Sequence, residues 1–245
     1  MTVRTANWLR RFQPAMPDAP LLVVLPHAGG SATHFRPLAA AMGRHVEVAA
    51  VQYPGRQDRY GEQPVTDLAA MAAIVATALA PMAGRRFALF GHSMGAAVAF
   101  EIARLMERRD QPAEALFLSA KRAPCLPQDP LPDLDDAALV EQITTMGGTA
   151  EQLLLDEELL EMYLPVLRAD YLAMRQYICE LPAVIDAPIT GLVGDSDPGV
   201  SCAEVTAWNL HTRGRFDLRV FPGGHFYLDE QTTAVAHTVL SVLKA

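Results

Sequence analysis

Positive charge is in short supply in this chain. Lysine and arginine total 20 against 28 aspartates and glutamates, a formal net charge of −8. With no basic excess to neutralise phosphates, a general nucleic-acid binder is argued against. Cysteine is scarcer still: Cys125, Cys179 and Cys202 are far apart and odd in number. They form no C-x-x-C pair and lack metal-ligand spacing, so neither a disulfide framework nor a zinc site is expected. Free thiols in a reducing compartment are the expectation. Long apolar runs are missing too. The first, Leu21–Leu25, is too short for a signal core and ends at Pro26, and nothing approaches the ~20 apolar residues of a membrane helix. These absences lead us to expect a cytoplasmic protein, monomeric, with no membrane or nucleic-acid partner.

What remains is ordinary for a globular fold: 51% apolar residues, 20% charged, over 245 positions. That length suits one hydrophobic core, here a single α/β domain over 1–245. Short β-rich runs alternate with helical patterns. "LLVVL" (21–25), "VEVAAV" (46–51), "FALF" (87–90), "ALFLSA" (115–120), "ITGLV" (189–193) and "FDLRVF" (216–221) read as strands. Several are apolar at consecutive positions, as strands covered on both faces are. Helices are predicted over 33–42, 66–82, 93–109, 200–211 and 229–243. The alternation implies a mostly parallel sheet with helices on both faces.

It breaks once. From about 121 to 188 no strand pattern occurs; a proline-rich loop, "APCLPQDPLPDL", precedes helical stretches at 135–146, 156–163 and 165–179. This all-helical insertion reads as a lid over one end of the sheet, with Gly147–Gly148 as a hinge within it. Its apolar residues Leu160, Leu164, Leu167, Tyr171 and Met174 could line a channel, although packing is the commoner use of such a stripe.

One junction carries chemistry. "GHSMG" (91–95) lies where strand 87–90 turns into an alanine-rich helix. A G-x-S-x-G in that setting is a nucleophile elbow, with Ser93 at the sharp turn. A partner base should follow it in the chain. Of seven histidines, His27, His34 and His45 precede the serine, His92 adjoins it, and His211 and His237 fall in helical patterns. His225 remains, on the loop "FPGGHFYL" after the last strand. For the acid, "GDSDPGV" offers Asp197, which we favour as the one carried further off the sheet, and Asp195 as its competitor. The N–H groups of Met94 and of Ala28, in "PHAGG", are candidate oxyanion donors. Arg56, in "YPGR", could stand at an entrance, but a surface arginine is the commoner explanation and it receives no role.

With the elbow, "PHAGGSA", "VQYPGRQDR", "GDSDPGVS", "AWNLHT" and "FPGGHFYL" in hand, the chain resembles the type II thioesterases. These are free-standing α/β-hydrolases that accompany modular polyketide synthases and nonribosomal peptide synthetases. The resemblance runs from "NWLRRF" to "GGHFYL" and implies an α/β-hydrolase fold. It also implies hydrolysis of acyl thioesters held on the phosphopantetheine arm of a carrier protein, clearing stalled or misprimed chains. Ser93, Asp197 and His225 would form the triad, Ala28 and Met94 the oxyanion hole, with no metal and no organic cofactor. An acidic carrier would find contacts at Arg85–Arg86 or Arg104–Arg109. Two other readings share parts of this pattern. A carboxylesterase or acyltransferase would use the same triad; a non-catalytic module binding carrier proteins or acyl chains would have no use for all three residues together.

Overall fold

The structure is a computed structural model, and it describes residues 7–82, 84–127, 135–147 and 157–244. Among these, seven strands form one sheet: β1 (Leu9–Arg11), β2 (Leu21–Leu25), β3 (Glu47–Val51), β4 (Phe87–His92), β5 (Leu116–Ser119), β6 (Ile189–Gly194) and β7 (Phe216–Phe221). Their order is β1-β3-β2-β4-β5-β6-β7. All neighbours run parallel except β1, which pairs antiparallel with β3 through Leu9↔Val51. The strand order reverses between β2 and β4, so the loops leaving their carboxyl ends diverge and open a crevice there.

The helices are α1 (Arg36–Met42), α2 (Leu68–Leu79), α3 (Met94–Glu107), α4 (Asp136–Met146), α5 (Glu157–Gln176), α6 (Cys202–Thr206) and α7 (Tyr227–Leu243). Alternation along the central strands divides the core into two layers. Leu21, Val23 and Leu25 of β2 face α2 and α3, while Leu22 and Val24 face α1 and α7. Both layers are apolar, which is why these strands are hydrophobic at every position.

Three departures from the sequence reading have local causes. Strand β1 was not anticipated, because two of its three residues are arginines and only its edge pairing with β3 holds it. The helix expected over 33–42 divides into a 3₁₀ turn, Ala32–Phe35, and α1, which starts where Pro37 fits the first turn. The two lid helices expected on either side of Leu164 are one, α5, with Pro165 inside it. Leu164, Val166 and Leu167 are all buried, so packing carries the helix past the missing amide. Of the expected glycine hinge, Gly147 caps the end of α4 with φ 72°, while Gly148 and most of the proline-rich loop lie outside the described residues. Helices α4 and α5 pack on each other through Leu139, Ile143, Leu164, Leu167 and Tyr171, and stand between β5 and β6 in the chain.

The closest backbone approach is at the β4–α3 turn. A Cβ on Gly91 would sit 2.1 Å from the Gly95 carbonyl oxygen, and one on Gly95 would sit 2.1 Å from that of Leu25. Gly91→Ala or Gly95→Ala should therefore destabilise the protein by at least ~3 kcal/mol, the upper end of overpacking penalties, since backbone cannot step aside. Gly61→Ala, where an added Cβ meets nothing within 4 Å, should change stability by less than about 1 kcal/mol. Urea unfolding followed by the fluorescence of buried Trp8 and Trp208 compares the three.

Candidate active site

Ser93 follows β4 directly, with φ 53° and ψ −117°. A side chain is rarely held in that backbone region, which costs ~1–3 kcal/mol unless its surroundings impose it. Here they do: Ser93 N–H donates to the Ser119 carbonyl at 2.8 Å, and the Ser93 carbonyl accepts from Ala96 N–H at 3.0 Å. The hydroxyl is thereby lifted off the sheet into a cavity of about 700 Å³, shared with Ala28, Arg56, Tyr163 and His225. Among the described residues nothing hydrogen-bonds to it.

His225 comes from the loop after β7. That loop passes over the end of β6, where a Cβ on Gly194 would lie 2.3 Å from the carbonyl oxygens of Gly223 and Gly224. The imidazole Nδ1 is 2.9 Å from Asp197 Oδ2 and 3.1 Å from Oδ1. A carboxylate only accepts, so Nδ1 carries a hydrogen, and the neutral ring is then the tautomer with its lone pair on Nε2. The Asp197 side chain is fully buried, and its Oδ1 also accepts from the backbone of Gly199 at 2.8 Å and Val200 at 3.2 Å. Asp195 points elsewhere: its Oδ1 takes Ser196 Oγ–H and the Gly223 N–H, holding the turn.

The backbone donors are placed as follows. Met94 is the first residue of α3, with no carbonyl one turn back to accept its N–H. In the loop after β2, Gly30 N–H donates to the His27 carbonyl at 2.9 Å. Because a trans peptide sets C=O and N–H in opposite directions, this bond turns the Ala28 N–H the other way. Neither Ala28 N–H nor Met94 N–H is taken up within the fold of the described residues.

Sequence reasoning missed a second polar centre. Arg56 is not a surface arginine: it is 6% exposed, lines the cavity, and pairs with Asp170 of α5, which is 0% exposed. The partner did have a sequence signal. Tyr163, Val166, Leu167 and Asp170 recur at helical spacing, which sets an acid on the apolar face of α5. The lid stripe itself divides in use. Leu167 and Tyr171 line the cavity, whereas Leu160 and Leu164 pack within the lid and Met174 packs against both lid and main core.

Histidines crowd the cavity floor. His27 stands 4.9 Å from His34 and 5.8 Å from His92, and His92 is 5.3 Å from His225, ring centre to ring centre. His92 is tied through Nδ1 to Ser119 Oγ at 2.9 Å, so it faces away from the serine beside it. Burial, followed by the positive charge neighbouring histidines would carry, pushes His27 and His92 well below the ordinary imidazole range. Both are neutral in the folded protein. The unfolded chain, with imidazoles near a pKa of about 6.5, then binds more protons than the folded one in mild acid. Stability should be full above that pH and decline as pH falls below it. His92→Asn, which keeps the Ser119 bond, should flatten the decline; urea unfolding at pH 7.5 and pH 5 measures it.

Residues 20–243 match the thioesterase domain family. The chain is 43% identical over 243 residues to the thioesterase PikA5 of Streptomyces venezuelae, covering 98% of this chain and 86% of that protein. Among solved structures it is similar to BorB, the type II thioesterase of the borrelidin biosynthetic cluster. Identity there is 44% and the TM-score 0.88, over 96% of this chain and 97% of BorB. RedJ, the thioesterase of prodiginine biosynthesis in Streptomyces coelicolor, is 35% identical with a TM-score of 0.85, over 98% and 93% of the two chains. Sequence and fold agree along nearly the whole length: the chain belongs to the thioesterase family, as a type II thioesterase and thioester hydrolase of the α/β-hydrolase fold.

Proposed function

We propose that this thioesterase works through Ser93, His225 and Asp197 on acyl groups carried by the phosphopantetheine arm of a carrier protein. The observation that carries the site assignment is the imidazole held at 2.9 Å by a buried carboxylate, with its ring in the same cavity as a serine on a strained turn. His225 Nε2 takes the Ser93 proton as Oγ adds to the thioester carbonyl, and Asp197 holds the tautomer and balances the imidazolium. The oxyanion forms against the N–H groups of Ala28 and Met94. Collapse expels a thiolate, whose conjugate acid has a pKa of about 8.5, so the bond breaks more readily than an amide would. His225 then activates water to release the acid and free Ser93.

The carrier and its assembly line enter through the relatives. BorB comes from the borrelidin biosynthetic cluster and RedJ from the prodiginine biosynthetic pathway, so this chain is read as clearing aberrant acyl groups from such a line. An oxygen-ester substrate would fit the same triad; the family favours the thioester. The arginines first considered for carrier contact are poorly sited for it. Arg85 and Arg86 precede β4 while Ser93 follows it, a separation of ~20 Å along six residues of strand. Arg108 and Arg109 lie a whole helix from Ser93. Arg85 and Arg104 are also paired within the fold, to Glu47 and Glu101, each at 2.7 Å. Exposed Tyr60, Leu159 and Met162, by contrast, rim the cavity, and an arm would enter past them.

Ser93→Ala should lower kcat for an acyl thioester by up to ~10⁶ if the triad acts as a unit. Asp197→Asn should lose ~10⁴ through the wrong tautomer. Asp195→Asn should stay within about tenfold of wild type, having lost only turn hydrogen bonds. A thiol-release assay ranks the three, and an Asp195→Asn loss equal to that of Asp197→Asn would overturn the choice of acid.

A further inference from the structure

We infer that Asp170, in the lid helix α5, is a positioning residue for the oxyanion hole. The inference rests on the reading of Ala28 as an oxyanion donor and goes beyond it by asking what holds Ala28 in place. Among the described residues, two hydrogen bonds fix the backbone of the loop Pro26–Gly30. One is internal, Gly30 N–H to the His27 carbonyl. The other comes from the lid: Gly29 N–H donates to Asp170 Oδ2 at 2.7 Å, across 141 residues of chain. The first bond orients the His27–Ala28 peptide and the second the Ala28–Gly29 peptide. Together they fix both planes that meet at Ala28, and so the direction of its N–H. Gly29 has φ +75° and stands so close to the lid that an added Cβ would lie 2.0 Å from Tyr163 Oη. Helix α5 therefore grips this loop through two residues, Tyr163 by contact and Asp170 by hydrogen bond.

Arg56 makes the grip possible. A fully buried carboxylate would ordinarily take up a proton, and burial raises Asp170 on balance, with Arg56 and the Gly29 N–H opposing that rise. The Arg56 guanidinium reaches Oδ1 at 2.9 Å and Oδ2 at 2.8 and 3.2 Å. Every partner of the carboxylate is thus an N–H donor, which suits an ionised acid and leaves an acceptor aimed at Gly29. The guanidinium is itself held in the loop after β3, 5.1 Å above the ring of Tyr53. Lid, β2 loop and β3 loop meet at one carboxylate. Its value to the reaction is geometric, because a misplacement of about 1 Å in a catalytic group costs ~10²-fold in rate.

Two paired substitutions separate geometry from charge. Arg56→Met with Asp170→Leu removes both charges, which buried pairs tolerate, and leaves Gly29 N–H without an acceptor. Arg56→Gln with Asp170→Asn is also neutral but still offers an amide oxygen to Gly29. Kinetics use a short acyl thioester of N-acetylcysteamine, with an alkyl trifluoromethyl ketone as the probe for oxyanion binding. The Met/Leu pair should lower kcat by ~10² with KM within about threefold of wild type, and should weaken the ketone in the same proportion. The Gln/Asn pair should recover most of both. A folded Met/Leu variant with wild-type kcat, or a Gln/Asn variant no better than it, overturns the inference. If neither pair folds, amide exchange of Gly29 in the wild-type protein decides: protection supports the bond to Asp170, exchange at exposed-loop rates rules it out. Should Ser93→Ala retain wild-type turnover, the reading of the site has failed instead.

Discussion

The contact between Gly95 and the carbonyl of Leu25 governs the geometry of this molecule. It lets α3 start immediately after β4 and lie against the end of β2 with no side chain between them. Any wider turn would lower Ser93 into the sheet, and any side chain at 91 or 95 would push α3 away from the strand that carries Ala28. The same contact thus sets the serine, the N–H of Met94 and the loop after β2 side by side at the point where strand order reverses. The unfavourable backbone angles of Ser93 follow from it, and the hydrogen bonds to Ser119 and Ala96 hold them.

Around that point the two buried carboxylates are fully hydrogen-bonded, while ring nitrogens of His27, His34 and His92 have no hydrogen-bond partner among the described residues. Asp197 takes the imidazole and two loop amides, so the proposed base is oriented by a carboxylate with no other freedom. His27 and His92 stay neutral, and Arg56 is neutralised by Asp170. Among the described residues the cavity therefore presents no uncommitted cation to its contents, which suits a neutral acyl group. Excluding water there strengthens each remaining dipole, among them the two amides that face the proposed oxyanion. The lid contributes more than cover, since α5 supplies both apolar lining and the acid that reaches the β2 loop.

Much of this was legible in the sequence because the relevant signals are local. Continuous apolar strands, a serine flanked by small residues and a histidine among glycines each report a backbone requirement within a few positions. Asp197 was favoured over Asp195 as the residue carried further off the sheet; the loop after β7 reaches both, with the His225 imidazole on Asp197 and the Gly223 N–H on Asp195. Strand β1 escaped notice because pairing with β3, not its own composition, makes it a strand. Pro165 suggested a break that buried neighbours on both sides prevent. Arg56 was misjudged for a similar reason: the carboxylate that makes its burial tolerable is 114 residues away, and nothing local announces it.

The most direct measurement is a crystal structure of the protein after reaction with an alkyl fluorophosphonate. The account predicts phosphorus bonded to Ser93 Oγ and a phosphoryl oxygen within about 2.7–3.1 Å of the amide nitrogens of both Ala28 and Met94, with His225 Nε2 facing the bonded oxygen. Phosphorus on another residue, or an oxygen turned away from those two amides, would contradict it.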